Sequence, residues 1–129
     1  MVKILLVENN VSFLKMLKVP LHLQFPLTVI EEAVDGKEAL KKVDDFLPDL
    51  ILIDIQLPEG SGLLLTQKIK EDHPEISIGI LTGYSSPEYR ETAFKYGANC
   101  VIAKNSWEEV AALVKSISSD LDSRNSYEL

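Results

Sequence analysis

Four polar residues stand directly after short aliphatic runs. Glu8 follows Ile4-Leu5-Leu6-Val7, Asp54 follows Leu50-Ile51-Leu52-Ile53, Thr82 follows Ile78-Gly79-Ile80-Leu81, and Lys104 follows Cys100-Val101-Ile102-Ala103. If the runs are parallel strands of one open sheet, all four residues lie on its carboxyl edge, where such sheets bind ligands. A carboxylate pair, a hydroxyl and an ammonium then converge. Two carboxylates brought together repel unless a cation lies between them, so Lys104 or a divalent metal belongs to the arrangement. The donors are all oxygens, which makes the metal magnesium-like.

Each residue also has a plainer reading. Glu8 or Asn9 can open the first helix as a cap, Thr82 can satisfy a strand end, and Lys104 can be a solvated loop charge. Asp54 resists this treatment, because it follows four aliphatics and is succeeded by Ile55-Gln56-Leu57-Pro58, which is no helix start. The coincidence of four such residues at four run ends favours a site.

The runs lack polar alternation, as strands buried on both faces do. A fifth, Thr28 to Ala33, carries Glu31 and Glu32 and reads as an edge strand. Between them lie helices. Asp35 with Glu38 forms a capping box for a helix whose apolar stripe is Ala39, Leu40, Val43, Phe46 and Leu47, ended by Pro48. Ser86-Pro87 reads as a cap and first helical position of a segment closing at Gly97. Ser106 with Glu109 repeats the capping box, and Val110, Leu113, Val114, Ile117 and Leu121 keep helical spacing. The first helix, from about Val11 to Leu23, contains Pro20, which is expected to kink or shorten it. Residues 122–129 carry no apolar stripe and read as a polar tail or the start of a linker after a domain over residues 1–121.

Five βα units in 129 residues are too few for a barrel and give a doubly wound α/β fold, a three-layer α/β/α arrangement of five parallel strands and five helices. The flavodoxin-like strand order 2-1-3-4-5 is our choice among doubly wound orders; the layers follow from the pattern.

Composition narrows the function. A formal charge of -7 opposes direct binding to nucleic acid or anionic membrane. Cys100 has no mate, and His22 and His73 are far apart, which excludes disulfide scaffolds and Cys/His zinc sites. Both histidines are expected at the surface or at helix ends, Cys100 in the core, and Trp107 packed at the start of the last helix. The amino terminus has no signal-peptide core and no stretch suits a membrane span, so a cytoplasmic location is expected.

The stretch Pro48-Asp49-Leu50-Ile51-Leu52-Ile53-Asp54-Ile55-Gln56-Leu57-Pro58 with Gly62, preceded by Asp35-Gly36-Lys37-Glu38-Ala39-Leu40 and followed by Gly97-Ala98 and Lys104, resembles the response-regulator receiver family over essentially the whole chain. The resemblance implies that Asp54 accepts a phosphoryl group from a sensor histidine kinase or phosphotransfer protein. It implies magnesium held by Asp54, by Glu8, by position 9 of the acidic pair, and by the Gln56 backbone carbonyl. Thr82 is then the hydroxyl that moves toward the phosphate and Lys104 the cation that pairs with it. Chemistry agrees, since an aspartate attacks phosphorus when metal and ammonium neutralise the incoming oxygens. The added charge and acceptors can recruit Thr82 and bias the loop between Thr82 and Pro87. An output domain or partner protein would read the changed surface, in this family often the last two helices and the strand between them.

The chain departs from that pattern. The second acidic position is Asn9, which should weaken magnesium; the usual switch aromatic is Val101; the proline after the lysine is Asn105, whose peptide bond is expected to be trans; and Ser61 replaces an Asp or Asn before Gly62. These departures keep open a pseudo-receiver that binds proteins without phosphorylation. An aspartate-nucleophile phosphatase ranks lower, because Gln56 stands where its second acid belongs. So does a flavin binder, because Glu8-Asn9-Asn10-Val11 is not a phosphate loop.

Overall fold

The computed structural model describes residues 1–57, 60–83 and 86–128, without the side chains of 56–61 and 124–128. In chain order the elements are β1 (Lys3–Val7), α1 (Val11–Gln24), β2 (Val29–Ala33), α2 (Gly36–Phe46), β3 (Leu50–Asp54), β4 (Gln56–Leu57), β5 (Gly60–Ser61), α3 (Gly62–Asp72), β6 (Ser77–Thr82), α4 (Pro87–Lys95), β7 (Cys100–Ala103) and α5 (Trp107–Glu128). The five long strands form a parallel sheet in the order β2-β1-β3-β6-β7, the flavodoxin-like order expected. A two-residue antiparallel hairpin, β4 with β5, was not foreseen.

The aliphatic runs are unbroken because the sheet is covered on both sides. Along β3, Ile51 and Ile53 enter the core under α2, α3 and α4, whereas Leu50 and Leu52 enter the core under α1 and α5. All four are fully buried, each worth about 1.5–3 kcal/mol relative to exposure. The second strand is an edge, as its charges required. Glu32 is held there by Lys18 at 3.2 Å and its carbonyl accepts from Lys42.

Helix starts follow the sequence closely. Asp35 accepts from the Glu38 N–H at 2.8 Å and Ser86 from the Tyr89 N–H at 3.1 Å, while Gly97 takes the left-handed φ of 107° that its cap position demands. Two expectations need correction. α1 is not shortened at Pro20 but runs on to Gln24, because fully buried Leu21 anchors the turn that follows the proline. Leu47 does not complete the α2 stripe: it is the left-handed cap, φ 50°, and is exposed. The backbone of α5 is helical beyond Leu121, where the apolar stripe ends, as far as Glu128, which leaves the assignment of residues 122–129 to a tail or linker untouched. Among the described residues no helix is long and apolar enough to cross a membrane.

Candidate functional site

The register of the sheet brings the strand ends together. β1, β3 and β6 are adjacent, with Val7 opposite Ile53 and Asp54 opposite Leu81; Thr82 at the end of β6 faces Ala103 on β7. Glu8, Asp54 and Thr82 are 1%, 3% and 4% exposed, which takes two carboxylates and a hydroxyl nearly out of water. Burial of this kind needs compensation.

Lys104 supplies it. The Lys104 N–H donates to the Thr82 carbonyl at 2.9 Å, which sets the loop after β7 against β6 and carries the side chain over the site. Its ammonium donates to Asp54 Oδ2 at 2.9 Å and lies 3.5 Å from Glu8 Oε2. The ammonium also sits 4.8 Å from the centre of the Phe13 ring, a cation–π contact from the first turn of α1. Burial works against the charged lysine, but the hydrogen bond to Asp54 and the two carboxylate charges outweigh it and hold its pKa above the usual value.

Glu8 has the opposite problem. Its Oε1 accepts from the Asn10 N–H at 3.0 Å, whereas its Oε2 is buried with no hydrogen-bond partner. Burial pushes the carboxyl above the usual range and the neighbouring Asp54 adds to this, opposed by the Asn10 N–H and Lys104.

The four strand-end residues therefore assemble as expected, and the plainer readings of Glu8 and Lys104 fail: neither is a simple cap or a solvated charge. The cap of α1 is Asn10, whose side chain accepts from the Phe13 N–H at 3.0 Å. Asn9 lies exposed at the rim between Glu8 and that cap. Gln56 is placed in β4 directly after the site, with its side chain outside the described residues. So are the Ser61 side chain, all of Pro58, and Tyr84 and Ser85 in the loop expected to move. The Lys104–Asn105 peptide bond is trans. Cys100 is half-buried at the edge of the core, and burial pushes its thiol up to about 11.

Phe13 was missed by sequence reasoning. Its only signal is its place one turn after a cap, which puts an aromatic ring at the mouth of a site closed by a lysine.

The donor set suits a hard divalent cation. Glu8 Oε2 is a buried oxygen that accepts no hydrogen bond, 3.5 Å from the Lys104 ammonium and beside a second carboxylate, and oxygen ligands are what magnesium takes. Among the described residues no cluster of three acidic, His or Cys side chains forms, which is the structural counterpart of Asn9 at the second position.

The family model of the response regulator receiver domain matches residues 4–117. The oxygen regulatory protein NreC of Staphylococcus haemolyticus is 41% identical over 90 residues, covering 69% of this chain and 42% of that protein. The chain thus spans less than half the length of this curated relative. Among solved structures, a CheY-like response regulator receiver domain protein from Methanospirillum hungatei is similar with a TM-score of 0.79 and 28% identity, covering 98% of each chain. A two-component response regulator from Clostridium difficile has a TM-score of 0.84 at 25% identity, over 94% of this chain and 98% of that one.

Proposed function

This chain belongs to the response regulator receiver domain family, and on that premise we propose that Asp54 accepts a phosphoryl group from a phosphohistidine on a sensor kinase or phosphotransfer protein. The observation that carries the proposal is the ion pair of 2.9 Å between Lys104 Nζ and Asp54 Oδ2 at the buried end of β3, with Glu8 Oε2 buried 3.5 Å from the same ammonium.

In this reading an Asp54 oxygen attacks phosphorus in line. The new P–O bond forms as the P–N bond to the donor imidazole breaks, and the departing nitrogen keeps the electron pair. Lys104 holds the attacking carboxylate and then pairs with the added phosphoryl oxygens. Glu8, Asp54, Asn9 and the Gln56 carbonyl would hold magnesium, which would supply further positive charge at the site. Thr82 offers its hydroxyl to the phosphoryl group, and the added charge of about -2 alters the surface around it. The same carboxylate would take a phosphoryl group from a small donor without a kinase, and lose it again to water.

A phosphodonor protein has a surface to meet. A groove of about 690 Å³ lined by Val11, Leu14, Lys15, Val19, His22 and Leu23 runs along α1, starting two residues after Asn9. We assign the receiver unit to residues 1–121 and residues 122–129 to a tail or linker, and place the protein in the cytoplasm. A further domain or a separate partner would read the altered surface. The test is incubation with a small phosphodonor and magnesium followed by intact mass: one added phosphoryl group supports the reading, and none favours a module that binds proteins without phosphorylation.

A further inference from the structure

Side chains alternate across β6 and β7. Ile80 and Val101 enter the core under α2, α3 and α4, whereas Leu81 and Ile102 enter the other. Two residues on from Ile80 and Val101, Thr82 and Ala103 return to the α4 side, and they are register partners. On that face β7 presents only small side chains near the site. The aromatic ring there comes from α4: Tyr89 packs against the same core cluster, and the Ser86 cap fixes its backbone one turn into the helix.

The Tyr89 hydroxyl is buried and has no hydrogen-bond partner. A phenylalanine would fill the same space without an unpaired donor, and such groups in folded proteins call for a reason. Burial raises the pKa of this phenol and the charge of Asp54 raises it further, so the hydroxyl lies within the field of the acceptor carboxylate. Its helix is lightly anchored: among the described residues of α4 only Ala93 is buried.

We propose that the Tyr89 hydroxyl is a donor kept for the phosphorylated site, unpartnered while Asp54 is unmodified and hydrogen-bonded to a phosphoryl oxygen once the group is attached. The inference rests on the phosphoacceptor reading above. An unpaired buried donor destabilises the state that holds it, so the state that supplies an acceptor is favoured and the start of α4 is drawn toward the ends of β3 and β6. Tyr89 is thereby a positioning residue that couples the phosphoryl group to α4, and the aromatic element of the switch lies on the helix instead of at position 101.

The test compares Tyr89→Phe with the wild type in the full chain, using beryllofluoride with magnesium as a stable phosphoryl mimic. Without beryllofluoride, Tyr89→Phe should melt at the wild-type temperature or above it. With it, the variant should bind about tenfold more weakly, the scale of one hydrogen bond to a charged acceptor. Equal beryllofluoride affinities in both proteins would overturn the inference and leave the phosphoacceptor reading standing. A lower melting temperature for Tyr89→Phe without the mimic would also overturn it, because the hydroxyl would then have a structural partner. A wild type that binds no beryllofluoride and takes no phosphoryl group would remove the reading itself, and this inference with it.

Discussion

The ammonium of Lys104 serves two buried carboxylates at once, 2.9 Å from Asp54 and 3.5 Å from Glu8, whose side chains are 4% and 1% exposed while its own is 30% exposed. Removing it as Lys104→Met leaves like charges facing each other out of water. We expect a loss of about 1–3 kcal/mol at neutral pH, below the full range for a buried pair because Lys104 is partly solvated. The pKa of Glu8 is already raised in the folded protein, chiefly by burial, so folding disfavours its charged form. Stability tied to such a group is fully present below its unfolded pKa of about 4.3 and declines as pH rises through the folded value. The deficit of Lys104→Met in thermal melts should therefore be larger at pH 8 than at pH 5; equal deficits would contradict this charge arrangement.

Position 9 sets the charge available to a metal. Asn9→Asp adds an anionic oxygen at the rim of the site, and tenfold tighter magnesium binding, about 1.4 kcal/mol, is the expected scale. Without metal the variant should melt lower than the wild type through like-charge repulsion, and magnesium should raise its melting temperature by more. Calorimetric titration giving the same magnesium affinity for both proteins would show that residue 9 does not face the cation.

Gly62 closes the site from behind. A Cβ at this position would lie 2.8 Å from the Asp54 carbonyl oxygen and 3.1 Å from the Ile55 Cα, both backbone atoms that cannot step aside cheaply. Gly62→Ala should cost about 1–3 kcal/mol by overpacking and should slow phosphoryl uptake by displacing the end of β3. Denaturant melts and time-resolved intact mass check the two effects, and a variant matching the wild type in both would refute the close packing.

His73 follows α3 and its Nε2 lies 3.0 Å from Asp44 Oδ1, with Glu75 at 3.6 Å from Nδ1. The hydrogen bond to Asp44 is the main cause that raises its pKa, opposed by burial and aided by both carboxylate charges. The pairing contributes below the unfolded pKa of about 6.5 and is lost as pH rises through the higher folded value. The melting-temperature gap between wild type and His73→Gln should be largest at pH 5.5 and shrink as pH rises through the raised folded value. A gap independent of pH would assign it to packing.

Much of this was readable from the sequence because local rules and tertiary demands agree. Runs such as Leu50 to Ile53 lack polar alternation because both faces are covered, and the polar residue ending each run marks the sheet edge. Asp35 and Ser86 announce their helices through short-range caps. What stayed hidden depends on distant packing. Pro20 is tolerated while the fully buried Leu21 packs into the core beside it, and Leu47 becomes a cap where the chain turns toward β3. Neither Phe13 nor Tyr89 has a local pattern that reveals its place, since the first depends on where Lys104 reaches and the second on small side chains at Val101 and Ala103. The cap of α1 was expected at Glu8 or Asn9, since either can accept a backbone N–H; it is Asn10 instead, because Glu8 turns inward and is buried.

Whether Asp54 accepts a phosphoryl group is read most directly by intact mass spectrometry after incubation with acetyl phosphate and magnesium. A single phosphoryl adduct is expected, one that hydroxylamine removes, as it does acyl phosphates, and that Asp54→Asn abolishes. An unmodified wild-type mass at saturating donor and magnesium, or an adduct that persists in Asp54→Asn, would contradict that expectation.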